Sequence, residues 1–171
     1  MREEFKVNIE KYQSEGRAIV YVDDSGFAHE STRSHGYSKI GERCFGQLDW
    51  GAKARTNVIG ALLNGLLVTV ALFSFNVDSD TFSAWMIQEL LPNVPKKSVI
   101  VMDNAAFHKR KDMLESISSL GCIPDFLPTY SPDLNPIEQS WAQIKSIRRK
   151  FRYSVDELFV SPHFKNLFMV R

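Results

Sequence analysis

The chain has 171 residues, 44% of them hydrophobic, enough for one well-filled core and in keeping with a single folded unit. Its 21 Lys and Arg are matched by 20 Asp and Glu, so a formal charge of +1 excludes a globally basic nucleic-acid binder; any such partner must be met by a local patch. Cys44 and Cys122 lie far apart with no CxxC or Cys/His spacing, which excludes a structural zinc site and leaves two free buried thiols, and the charged start "MREEFKVNIEKYQSEGR" has no apolar signal-peptide core, which fits a reducing cytoplasm.

Residues 1–16 read as a polar lead-in. "RAIVYVDD" follows as a short apolar, β-branched strand expected to end near Asp23. A long Gly- and charge-rich connection comes next, with a further short strand around Cys44 to Leu48. Thr56 to Val77, "TNVIGALLNGLLVTVALFSFNV", carries no charge and is long enough to cross a bilayer. Asn64-Gly65 at its centre supplies the positive φ values of a tight turn between β-branched flanks, so the stretch is read as a buried β-hairpin, with no membrane partner.

Asp78 or Ser79 then caps a helix that carries Phe82, Trp85, Met86, Leu90 and Leu91 at helical spacing and is closed by Pro92 and Pro95. "SVIVMDN" is a second apolar strand ending in an acid, Asp103. A helix near Lys109 to Leu120 and the short strand "CIPDFL" follow it. Strand, hairpin, helix, strand, helix, strand, helix argues for an α/β fold, a mixed sheet with helices on its faces.

Side chains just beyond neighbouring strand ends converge in such sheets, so Asp23 and Asp103 are candidates to meet; the alternative is two ordinary turn acids. "YSPDLNPIEQSW" adds a third acid. Asn135 can cap a helix, Pro136 suits its first position, and Glu138 falls where a glutamate closes a capping box, so this residue reads equally as cap or working group. At 100° per residue, Ala142, Lys145, Arg149 and Arg152 return to within roughly 40° of Glu138, while Ile137, Trp141, Ile144 and Phe151 form an adjoining apolar face. A carboxylate leading into a cationic stripe describes a metal ligand continued by a phosphate track; a solvated basic face at a helix C-terminus is the alternative. Three carboxylates within about 4 Å repel by roughly 4 kcal/mol per pair at an effective dielectric near 20. A hard divalent cation offsets this, and oxygen ligands without His or Cys favour Mg²⁺ or Mn²⁺ over zinc.

"YVDDSGF", "VIVMDNAAFHK" and "LPTYSPDLNPIEQSW" resemble, in order, the three acidic blocks of mariner-type transposases, notably their bacterial insertion-sequence branch. Asp103 and Glu138 are separated by 34 residues, similar to that family's Asp-Asp-Glu spacing. The likeness runs from about Val20 to Leu158 and includes "GYSKIGERC" and "RTNVIGALLNG". It implies a ribonuclease H-like catalytic domain over residues 17–158, with a tail over 159–171. It also implies a site for two Mg²⁺ or Mn²⁺ ions, and DNA strand cleavage followed by joining of the 3′-hydroxyl to target DNA.

By position, Asp23, Asp103 and Glu138 are the implied triad, with Asp24 a neighbour. Asn104 and His108 lie near the site, Asn to orient a carboxylate and His to touch a phosphate. Lys145, Arg148, Arg149, Lys150 and Arg152 are the candidates for the backbone of double-stranded DNA. The resemblance also implies a homodimer on DNA. The short lead-in leads to the expectation that helix-turn-helix recognition of DNA ends comes from an upstream domain or another protein. A non-catalytic transposase remnant that binds DNA or a full-length relative, and a nuclease that only hydrolyses, share the same acids and stay open.

Overall fold

In a computed structural model of the chain, residues 1–29 and 55–169 are described. The expected strand around Cys44 to Leu48 lies outside them. The centre of the molecule is β1, Ile19–Ala28, which continues well past Asp23. It does so because β2, Arg55–Leu63, pairs with it antiparallel from Val20↔Leu63 to Ala28↔Arg55 and satisfies its backbone over that length. Asp23 is therefore a mid-strand residue and not a strand end. β2 turns through Asn64 and Gly65, at φ 52° and 82°, into β3, Leu66–Phe73, which is the hairpin the Asn-Gly pair predicts.

On its other edge β1 pairs in parallel with β4, Val99–Met102, which pairs in parallel with β5, Ile123–Phe126. The five strands run in the order β3-β2-β1-β4-β5. Among the described residues no helix is long and apolar enough to cross a membrane.

One face is covered by α2, Ser79–Trp85, and α3, Lys111–Ser119. Asp78 accepts the Thr81 N–H at 2.8 Å as the expected cap; the helix then widens into a π turn over Met86–Leu90 and tightens into a 3-10 turn at Leu91–Asn93. Phe82, Trp85, Met86, Met113 and Ile117 pack there on Val20, Val22, Ile59, Ile100 and Met102. Cys122 is a buried free thiol in the same layer.

The opposite face carries α4, Pro136–Phe151, α5, Val155–Val160, and α6, Pro162–Phe168. Ile137, Trp141, Ile144, Leu158, Phe164 and Phe168 are buried there with Phe27, Val58, Leu62 and Leu67. Phe159, Phe164 and Phe168, in the segment expected as a C-terminal tail, are thus part of the core, and Met169 bridges to Leu67 on β3. Ser161 ends α5 and accepts the Phe164 N–H at 3.1 Å to begin α6. Phe151, placed on the apolar face by the helical wheel, is exposed. It stacks on Tyr153 and His163 at the end of α4 instead.

The first sixteen residues are not a linker. They form α1, Arg2–Ser14, whose Phe5 and Ile9 are buried against Ile19, Val99, Val101 and Leu127 on the same face as α4. The spacing Phe5, Ile9, Tyr12 is one helical stripe, hidden in a segment otherwise rich in charge.

Candidate active site

Strand alternation separates the two adjacent acids of β1. Val20 and Val22 face α2 and α3, whereas Tyr21 and Phe27 face the α4 side, so Asp23 shares the α4 side and Asp24 takes the other. Asp103 follows β4 directly. Ile19 pairs with Val99 and Tyr21 with Val101, and the same offset carries Asp23 to Asp103. Two acids remote in sequence thus each lie two residues past the last paired position of these neighbouring strands, and the Asp103 charge reaches the Asp23 carboxyl.

Glu138 arrives on α4, and a glycine sets how closely. Gly60 is the cross-strand partner of Asp23. A Cβ at Gly60 would lie 2.7 Å from Trp141 Cη2 and 2.9 Å from Cζ2, so the missing side chain is what lets the indole lie on the sheet. Phe27 meets the same indole edge-on at 6.2 Å between ring centroids. Glu138, one turn before Trp141, is thereby held beside β1 while remaining exposed.

The electrostatics register the convergence. Burial, then the charge of Glu138, then those of Asp24 and Asp103 push the Asp23 carboxyl up to about 8. Its Oδ2 is buried with no hydrogen-bond partner among the described residues. Asp103 is shifted the other way: His108 Nδ1 lies 2.5 Å from its Oδ1 and the Ala105 N–H donates to the same oxygen at 3.0 Å, which hold it below the ordinary carboxylate range.

From their place in the Asp103 block, His108 is expected to touch a phosphate and Asn104 to orient a carboxylate. The geometry differs. His108 is buried in a 3-10 turn, Ala106–Lys109, with its ring 4.2 Å from that of Phe82, and it is the residue that orients Asp103; Asn104 is exposed.

The alternative role for Glu138 is also decided by geometry. Asn135 makes no side-chain cap bond and its backbone N–H donates to Pro132 O, so the capping box open to this sequence is not formed. The same chain does form one at α5, where Ser154 Oγ accepts the Glu157 N–H and Glu157 accepts the Ser154 N–H.

Among the described residues, no three His, Cys, Asp or Glu side chains are closed round one point as a finished ion cage. The donor set nevertheless fits a hard divalent cation. It offers oxygens only, includes the buried Asp23 Oδ2, and sets a carboxyl raised first by burial and then by the charges of Glu138, Asp24 and Asp103, a repulsion that a cation would relieve.

The cationic stripe on α4 is partly as expected. Arg149, Lys150 and Arg152 are exposed, and Lys145 is half-buried with Nζ 5.3 Å from the Phe27 ring centroid. Arg148 is a correction. It is buried, donating from Nε to Tyr153 O at 3.1 Å and from Nη2 to His29 O at 3.0 Å, so its guanidinium ties the end of α4 to the end of β1 and is not offered to a phosphate. The Gly60–Trp141 contact and the acid Asp125 had no motif to mark them. Asp125, on β5 opposite Val101, is pushed up by burial.

Comparison with solved structures shows the same fold. The mariner Mos1 paired-end complex with Mg matches with TM-score 0.66 and 16% identity over 94% of this chain and 54% of that one. The Mos1 strand transfer complex matches with TM-score 0.64 and 16% identity, over 90% and 53%. The Mos1 paired-end complex with left transposon end gives 0.66 and 15%, over 86% and 47%. The chain thus spans about half the length of these transposases and shares their ribonuclease H-like sheet. No curated protein matches the chain. A family model described as DDE superfamily endonuclease matches residues 18–158, from the start of β1 through the buried Leu158 and across all three acids, and the chain belongs to that family.

Proposed function

We propose that this chain is the catalytic domain of a DNA transposase that cleaves a DNA strand and joins the exposed 3′-hydroxyl to target DNA. Asp23, Asp103 and Glu138 are its working carboxylates. The observation that carries the reading is the raised Asp23 carboxyl, unpaired at Oδ2 among the described residues and facing the charges of acids from two other elements.

Asp23, Asp103 and Glu138 would hold Mg²⁺ or Mn²⁺, as a pair of ions. When bound, such ions polarise a phosphoryl oxygen and lower the pKa of water or of a hydroxyl nucleophile. The protein's own part is positional. Asp23 releases its proton once the surrounding negative charge is offset. His108 and the Ala105 N–H fix the direction in which Asp103 presents its remaining lone pairs. Trp141 on Gly60 holds the first turn of α4, and with it Glu138, against β1. Arg149, Lys150 and Arg152, with Lys145 nearer the acids, hold the duplex by its phosphates without reading sequence. End recognition belongs to a helix-turn-helix segment or partner, two copies act on a pair of DNA ends, and the reaction takes place in the cytoplasm.

The test is incubation of the chain with DNA carrying the repeats that flank its gene, with Mg²⁺ or Mn²⁺ and any helix-turn-helix protein encoded beside it. Nicking and joined products are expected from the native chain and neither from Asp103→Ala. Nicking that persists in the variant removes Asp103 from the site. Hydrolysis with no joined product assigns a nuclease instead.

A further inference from the structure

The segment leading into Glu138 is tied to the first residue of α1. Arg2 Nη1 donates to Ser131 Oγ at 3.0 Å and to Asp133 Oδ1 at 3.1 Å, while Nη2 pairs with Asp133 Oδ2. One guanidinium therefore spans the start of the 3-10 turn Pro132–Leu134, directly before Asn135 and Pro136 begin α4. Beneath this polar clamp Leu134 packs with Phe5 and Ile9 of α1.

That turn depends on an outside holder. Asn135 supplies no side-chain cap, and Glu138 does not reach back to it. What remains locally are three backbone bonds, Leu134 N–H to Ser131 O at 3.1 Å, Asn135 N–H to Pro132 O at 3.0 Å and Glu138 N–H to Asn135 O at 3.1 Å, and one long bond from Ser131 Oγ to Thr129 O at 3.3 Å. Arg2 and Asp133 are 46% and 61% exposed, so their pairing adds little to global stability. A two-pronged guanidinium–carboxylate contact does fix orientation, which a lysine in its place would not.

We infer that Arg2 is a positioning residue for Glu138, acting through Ser131 and Asp133, and that docking of α1 and divalent-ion binding by the acids favour one another. By reciprocity, whatever loosens α1 weakens the ion, and the ion tightens α1. The inference rests on the reading of Asp23, Asp103 and Glu138 as ion ligands.

The test uses Mn²⁺ as probe on the full chain, with affinity followed by calorimetry or by Mn²⁺ paramagnetic resonance. Arg2→Ala and Asp133→Ala are each expected to bind roughly tenfold more weakly, the scale of losing a group that orients a ligand, at an unchanged Tm. The reversed pair, Arg2→Asp with Asp133→Arg, is expected to recover most of the loss. Without metal, amide exchange at Leu134, Asn135 and Glu138 is expected to quicken in both single variants. Native affinity together with native exchange in those variants overturns the inference. So does a loss of affinity that comes with a lowered Tm, which would make α1 a general support. If the native chain and Asp103→Ala bind Mn²⁺ equally, the ligand reading falls, and the exchange rates alone still decide whether Arg2 holds the turn.

Discussion

Replacing Asp23 by Asn should stabilise the metal-free protein, although it removes a residue at the centre of the proposed chemistry. The Asp23 carboxyl rises from 3.8 to about 8 on folding, so between these values the folded chain keeps a proton that the unfolded chain releases. Stability therefore declines as pH rises from about 4, and becomes level above about 8. At pH 7 the forgone ionisation amounts to about 4 kcal/mol, from 1.36 kcal/mol per pH unit over the interval above 3.8. Asn keeps the shape and carries no charge, but buries an amide that costs about 1–2 kcal/mol. A net gain of about 2–3 kcal/mol remains, and for a chain of this size that raises Tm by about 5–10 °C. The assay is thermal unfolding in chelator from pH 4.5 to 8.5. The gap between Asp23→Asn and the native chain should widen with pH and then level, and Mg²⁺ should raise the Tm of the native chain alone. A gap of the same size at both ends, or a variant no more stable at pH 8, would refute the account of Asp23.

Gly60→Ala should cost about 1–3 kcal/mol in thermal unfolding through overpacking against Trp141, and should lower cleavage as α4 moves off the strand; an unchanged Tm would show that the indole has room to yield. His108→Ala should reduce metal affinity about 10- to 100-fold by freeing Asp103, measured by Mn²⁺ titration. It should also remove the part of native stability that Asp103 lends above the ordinary carboxylate range and that is lost as pH falls through its lowered value, visible as a flatter acid limb in unfolding. Combined Arg149→Ala, Lys150→Ala and Arg152→Ala should reduce the slope of log affinity for duplex DNA against log salt by about 0.9 for each phosphate no longer neutralised, whereas Arg148→Ala should leave the slope intact and lower Tm.

The candidate acids could be picked out of the sequence because each sits in a local pattern with a physical meaning: an apolar run ending in a carboxylate twice, and a proline-bounded helix start once. The hairpin was legible because Asn64-Gly65 admits few other conformations. What escaped was tertiary. The extent of β1 beyond Asp23 follows from its pairing with β2, which lies across a long intervening stretch of chain. The wheel of α4 places Ile137, Trp141 and Ile144 correctly on its buried edge, and Arg148 falls on that same edge, but grouping Arg148 with its cationic neighbours by charge alone hides this, and Phe151 at the helix end is exposed. The carboxylate-orienting role within the Asp103 block falls to His108 for a tertiary reason too: the packing of Phe82 against the 3-10 turn directs His108 inward. In α1, two buried residues among many charges are too weak a signal to separate from a linker.

Phe164 and Phe168 lie past residue 158, where the family match ends, yet they close the layer in which Trp141 rests. A fragment trimmed to the family boundary would leave an oily wound behind the very helix that presents Glu138. Such a piece is expected to aggregate or lose catalytic competence even with every acid intact. Anyone dissecting this nuclease-like core should therefore cut after Met169, treating the last two short helices as its back wall.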